Sequence, residues 1–209
     1  MINWPLSGND YYTNLVEMDS KARQDAINQA KQKTLCFVYF IKHELGCNTL
    51  ALADDEFPTP DRLPFIPYYR ESRRIRGKVR FTLNHISDPY NQPEKLYRTS
   101  VAVGDYPVDH HHSAYSGPES LPDLRFRPVP SYGLPLGTLI PAETEGLIVA
   151  EKSISVTNLV NGTTRLQPVV LQIGQAAGVL AALAVIKGTG VSDVPVRDVQ
   201  NALLDGGGY

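Results

Sequence analysis

The sequence predicts a mixed fold, α+β or α/β, and three stretches carry that expectation. Residues 19–45 show helical spacing of apolar side chains over a long run. The stretch RRIRGKVRFTL, residues 73–83, alternates as a half-buried strand does. A short apolar run, Leu147–Ala150, leads towards a second long helix at residues 168–187. The 209 residues suffice for one large domain or two small ones, and 42% hydrophobic with 20% charged residues is a globular balance.

In the first helix, Asp19 or Ser20 can cap the start and Gly46 can end it. Ile27, Ala30, Leu35, Val38, Ile41 and Leu45 recur at roughly helical intervals. The run CFVYF suggests that the middle of the helix is buried on more than one side. The next stretch, DDEFPTPDRLPFIPYY, is too rich in proline for helix and reads as an extended loop. In the alternating strand, Arg74, Arg76, Lys78 and Arg80 share one face, and Ile75, Gly77, Val79 and Phe81 share the other. YRTSVAVGDYPVD is a second strand, broken near Gly104. Prolines and glycines recur over residues 113–141, which predicts loops and short strands of a mixed or antiparallel sheet. Residues 1–146 thus form one region. Residues 147–209 form another, with a closing strand, the long helix and a last short helix.

The helix at 168–187 has an unusual front and an unusual flank. Pro168 suits a first helical position, but Gln167 is a poor cap. The backbone N–H groups of Val169 and Val170 therefore lack an obvious local acceptor. They carry the positive end of the helix dipole and suit an anion, or a carbonyl gaining negative charge. Gly174, Ala177, Gly178, Ala181 and Ala182 form a stripe that lets a backbone or a flat ligand approach closely. A purely structural arrangement is also open, with Thr163 or Thr164 as cap and the stripe packed on a sheet. The helix is apolar enough to test as a membrane span. Gln172 and Gln175 interrupt it, alanine dominates its second half, and its length is at the short limit, so a helix buried in a soluble protein is expected.

A net charge of −2 argues against a general nucleic-acid footprint. Two cysteines, Cys36 and Cys47, make neither a disulfide framework nor a zinc site. The start, MINWPLSGND, lacks the basic end and apolar core of a signal peptide, which points to the cytoplasm.

LIVAEKSIS followed by NGTTRLQPVVLQIGQAAGVLAAL resembles the closing strand, loop and helix of FAD-dependent oxidoreductases. YYRESRRIRG, TSVAVGDYPVDHHH, INWPLSGNDYY and YGLPLGTLIP resemble motifs of one bacterial subgroup, some members of which carry a xanthan lyase label. The resemblance implies FAD as cofactor. It implies a substrate-side mixed sheet joined to the closing strand and helix of an FAD-binding domain. The closing helix would point its front at the pyrimidine edge of the flavin ring, with Val169 and Val170 donating to a ring carbonyl and Gly174 on the close-packed flank. Gly162, Thr163, Thr164, Arg165 and Gln167 would form the loop beside the ring. The sequence departs from the family in two places. It contains no GxGxxG, the turn that holds the ADP part of FAD, so the N-terminal Rossmann half is absent from this chain. Many relatives also have a glycine after the closing strand, where this chain has Glu151 and Lys152. The implied partners are an N-terminal flavin-binding half or a second copy of the chain, and a small-molecule substrate. Neither nucleic acid nor a membrane is expected. A chain that is the C-terminal part of a longer flavoprotein should expose apolar surface on the closing helix.

GDYPVDHHH places Tyr106, Asp109, His110, His111 and His112 together after a strand. A flavin oxidation of an alcohol or amine needs a base, which a histidine oriented by Asp109 can supply. Extended geometry sends His110 and His112 to one side and His111 to the other. No metal is expected, since neighbouring histidines need a further ligand from the fold. Arg70, Arg73 and Arg74 can bind a carboxylate or phosphate, or can pair with acids along the strand. Arg165 stands just before the long helix, as a site residue or as a salt bridge that fixes the loop. The resulting reading is the C-terminal part of an FAD-dependent oxidoreductase, moving a hydride from a polar, sugar-like substrate to flavin. The alternatives are a polysaccharide lyase, using Tyr106 or a histidine as base, and a non-catalytic subunit that works only with a partner.

Overall fold

A computed structural model describes residues 2, 4, 8, 10–13, 15–68, 70, 73–109 and 126–208. The chain divides into two compact units near residue 70.

The first unit is built on α1, Ser20–His43. The Asp19 carboxylate accepts from the Ala22 N–H at 2.8 Å, and Lys42 and His43 stand at the negative end of the helix dipole. Gly46, at φ +68°, leads the chain away in a conformation that favours glycine. The buried positions are Ala26, Phe37 and Ile41, which share one helical face. The apolar set expected from sequence mixes two faces, and Leu35, Tyr39, Phe40 and Leu45 are exposed. Burial of CFVYF on more than one side is therefore corrected to Phe37 alone. The proline-rich stretch contains no helix or strand among its described residues, and Lys31 ties it to α1 by a 2.6 Å ion pair with Asp61.

The second unit holds the remaining elements. Two antiparallel strands, β1 (Ser100–Gly104) and β2 (Tyr132–Pro135), form its small sheet, with a register shift between Ser100 and Ala102. Four helices follow the chain: α2 (Leu83–Ser87), α3 (Asn158–Thr164), α4 (Gln167–Lys187) and α5 (Val196–Asp205). The core is apolar and tight: Phe81, Ile86, Leu134, Leu139, Ile154, Val160, Ile173, Leu180 and Val199 are all fully buried.

One edge of β1 pairs with β2, and two glutamines cover backbone groups along the strand. The Gln172 amide accepts from the Val103 N–H at 2.9 Å and donates to the Val103 carbonyl at 3.1 Å. The Gln200 amide donates to the carbonyls of Arg98 and Ser100. These side chains dock α4 and α5 on the strand and satisfy backbone groups that would otherwise be open to pairing.

Two expected strands are not strands. Residues 73–82 are extended with the expected alternation, Arg76, Lys78 and Arg80 outward and Phe81 inward. They thread between residues 137–142 and 153–157 and make only isolated bridges, Gly77 with Pro141 and Phe81 with Val156. A Cβ on Gly77 would lie 2.6 Å from that of Ser155, so glycine lets the segments close together. Leu83 then opens α2. Leu147–Ala150 forms no ladder either. Its Val149 N–H donates to the Leu139 carbonyl, and the run is bracketed by left-handed residues, Gly146 at φ +67° and Glu151 at φ +59°.

Helix α4 runs to Gly188, whose φ of +63° ends it, and Lys187 pairs with Asp198 of α5 at 3.0 Å. Val169, Ile173, Ala176, Leu180 and Ala184 face the core. The opposite face is exposed, including Leu171, Val185 and Ile186. The helix is long and apolar enough to cross a membrane, but only 28% of its most apolar window is buried. The expectation of a helix buried in the protein is thus corrected to a helix with one buried face, while the expected exposed apolar flank is present.

Candidate functional site at the α3–α4 junction

The junction is assembled from the ends of four elements. Helix α3 is capped by Thr157, whose hydroxyl accepts from the Val160 N–H at 3.5 Å, and it ends at Thr164. Gly162, Thr163 and Thr164 therefore lie within a helix and are buried, not in an open loop as the resemblance implies. Two β-branched threonines and a glycine read as loop, but tertiary burial outweighs that propensity. Thr164 returns its hydroxyl to the Val160 carbonyl at 3.1 Å. Only Arg165 and Leu166 separate α3 from α4.

The Thr163 hydroxyl is hydrogen-bonded to that of Tyr132 on β2 at 2.9 Å. Burial pushes the Tyr132 phenol up to about 12, with Asp105 adding to the rise and the Thr163 bond opposing it. At neutral pH this phenol is a neutral structural group that ties β2 to α3. A Cβ on Gly104 would lie 2.5 Å from the Tyr132 oxygen and 3.0 Å from a Val169 methyl. Glycine at the end of β1 thus lets the strand, the phenol and the first turn of α4 meet. The break in the strand pattern near Gly104 is the sequence signal for this contact. Tyr132 itself had no such signal.

Arg165 turns back from the junction to Asp109. Its guanidinium reaches the Asp109 carboxylate at 2.9 Å and the Asp109 carbonyl at 3.3 Å. The two side chains are 6% and 13% exposed, so this is a part-buried ion pair whose guanidinium is almost wholly covered. Of the two roles open to Arg165 in the sequence, the geometry displays the ion pair. Tyr106 is half-buried three residues before Asp109. His110, His111 and His112 lie outside the described residues.

Helix α4 opens with Leu166 at its cap position, where no side chain accepts from the first turn. The Val170 N–H donates to the Leu166 carbonyl at 2.9 Å, which removes it from the expected pair of free donors. The amides of Gln167 and Val169 have no acceptor among the described residues, and Pro168 has no N–H to offer. Gln167 is exposed, while Val169 is turned into the core. Gly174 is two turns further along on the open face, with nothing within 4 Å of where its Cβ would be. The front of α4 is therefore a short, side-chain-free dipole end beside a neutral phenol and a neutralised ion pair.

A family model described as FAD dependent oxidoreductase matches residues 1–203. The chain belongs to the FAD-dependent oxidoreductase family. No curated protein and no solved structure gives a significant match. For this flavoprotein family, the uncapped start of α4 fits the cofactor's needs in one respect. It offers the Gln167 and Val169 amides, and no competing side chain, to an electron-rich ring. The Val170 amide does not join them, and the threonines of α3 are turned inward.

Proposed function

We propose that this chain is the C-terminal part of an FAD-dependent oxidoreductase that takes a hydride from a polar, sugar-like substrate. A second polypeptide or further chain would carry the dinucleotide-binding half, because no GxGxxG is present. The single observation that carries the reading is the front of α4, a helix start whose cap residue supplies no acceptor, in a chain of this family.

The flavin supplies the hydride acceptor when bound. The protein's own residues supply binding and proton handling. The amides of Gln167 and Val169 would face the pyrimidine edge of the ring and favour its negative form. The Arg165–Asp109 pair holds the segment that leads to His110 and His112 against the start of α4. His110 or His112 would then take the substrate's proton, with Tyr106 as a nearby polar contact. Arg165 acts here as a positioning residue.

The test begins with the coding sequence directly upstream of Met1. The expected finding is a strand–GxGxxG–helix unit, in frame or in a neighbouring gene. The two polypeptides are then expressed together and purified. A yellow complex that bleaches with a sugar alcohol or amine under anaerobic conditions supports the proposal. A complex that holds no flavin refutes it, and unsaturated products released from a polyuronate without flavin would establish the lyase alternative.

A further inference from the structure

We infer that His85 is a proton-controlled clasp: neutral, it closes the start of α2, and protonated, it releases that start and holds Glu94 instead. Helix α2 follows Thr82 in a capping box, in which the third helical residue reaches back to the backbone N–H of the cap. Glutamate or glutamine usually fills that position, and here it is His85. Of these three side chains, histidine is the one that turns from acceptor to donor within the physiological pH range.

The geometry fixes the state of the ring. The Thr82 N–H donates to His85 Nδ1 at 3.0 Å. An amide N–H can only donate, so Nδ1 carries no proton and the ring's one proton is on Nε2. Nε2 faces the Glu94 carboxylate at 3.9 Å. Phe81 lies nearly parallel to the imidazole, 5.7 Å away with 6° between the planes, and holds it flat. The imidazole is 15% exposed and Glu94 66%, so the ring is largely covered while its carboxylate partner stands in water. Among the described residues Glu94 is the charged group paired with the ring. Asp88, beyond the far end of α2, is bonded to Asn91, and Tyr132, which meets Phe81, is a neutral phenol bonded to Thr163.

A second proton must go to Nδ1, the one bare nitrogen of the ring. Two donors then face each other, and the Thr82 N–H loses its acceptor. The new Nδ1–H finds an acceptor in the Thr82 hydroxyl, also 3.0 Å from Nδ1, so the ring keeps its place. The imidazolium gains a full charge opposite Glu94. The proton thus transfers the hold of His85 from the start of α2 to the segment that carries Glu94 and leads into β1. Helix α2 has five residues and one buried side chain, Ile86, so its cap is a large part of what keeps it formed. The opening stops at Phe81, whose N–H and carbonyl are bonded to Ser155 and Thr157. The inference concerns this chain alone and does not rest on the flavin reading.

The test is nuclear magnetic resonance on the isotopically labelled full chain. The nitrogen–nitrogen coupling across the bond from Thr82 N–H to His85 Nδ1 should be present at about pH 8 and lost by about pH 5, with the midpoint of the ring's own titration. Over the same interval the opening of the His85 and Asp88 amides, whose acceptors are the carbonyls of Thr82 and Asn84, should rise about fivefold after correction for intrinsic exchange, while that of the Phe81 amide stays constant. His85→Gln keeps the acceptor without the titration and should abolish the rise. A coupling that is absent at the higher pH, or that persists at the lower one, overturns the inference. So does a rise that His85→Gln retains. Opening of Phe81 in step with α2 would overturn it as well, since general acid unfolding then accounts for the change.

Discussion

Replacing Asp109 by alanine tests whether the Arg165 pair holds the α3–α4 junction. The Arg165 side chain is only 6% exposed, so removing its carboxylate leaves a cation that water cannot readily solvate. Breaking a buried pair by removing one partner costs about 3–5 kcal/mol. The Asp109 main-chain carbonyl, 3.3 Å from the same guanidinium nitrogen, survives the substitution and places the expected loss near the lower figure. About 3 kcal/mol corresponds to a rise of roughly a hundredfold in the open population of the unit. Amide hydrogen exchange over peptides from residues 158–187 reports on this junction, supported by denaturant unfolding followed by circular dichroism. Arg165→Met alone should also destabilise, by removing the guanidinium that donates to the Asp109 carboxylate. Asp109→Leu with Arg165→Met should lose less than the sum of the two single variants, because both singles break the same interaction. The reasoning is refuted if Asp109→Ala changes exchange by less than about threefold, or if the double variant is as unstable as the sum of the two single ones.

Three other perturbations bear on the same unit. Tyr132 has its folded pKa raised to about 12, above the usual phenol value of 10, so the folded state holds the proton more tightly. Its contribution is complete below pH 10 and is lost as pH rises towards 12, a loss on the order of 2 kcal/mol that alkaline unfolding curves should show and Tyr132→Phe should remove. Tyr132→Phe should itself cost about 1 kcal/mol at neutral pH, from the lost Thr163 bond. Gly104→Ala forces a methyl against the Tyr132 oxygen and should cost about 1–3 kcal/mol in denaturant unfolding; a neutral result would mean that the strand end is free to move. Glu151→Gly relieves a left-handed residue at φ +59° and should stabilise by about 0.5–1 kcal/mol, and a loss of stability would show that the Glu151 side chain makes a contact worth more than the strain.

The parts of the fold that were legible in the sequence are those whose cause is local. Asp19 begins α1 and Gly188 ends α4 because a cap needs one acceptor and a left-handed turn needs one glycine. The exposed flank of α4 was legible too, since a small-residue stripe without charge keeps its period wherever the helix packs. Elements that depend on a distant partner were not legible. Residues 73–82 have the alternation of a strand, but a ladder also needs a neighbour that stays extended, and the chain at 136–138 and 151–153 turns into 3₁₀ helix instead. Gln172 was read as a polar interruption of an apolar helix. Its purpose becomes visible only beside Val103, 69 residues away, where the amide replaces a missing strand. The same holds at the candidate site. Arg165 next to a helix start is ambiguous until Asp109 is seen 2.9 Å from it, and Val170 appears free until the Leu166 carbonyl turns towards it. What remains of the predicted anion site is thus narrower than the sequence implies, resting on the Gln167 and Val169 amides. Any ring they serve must approach along the axis of α4, because the Val170 donor is spent and the threonines behind it face the core.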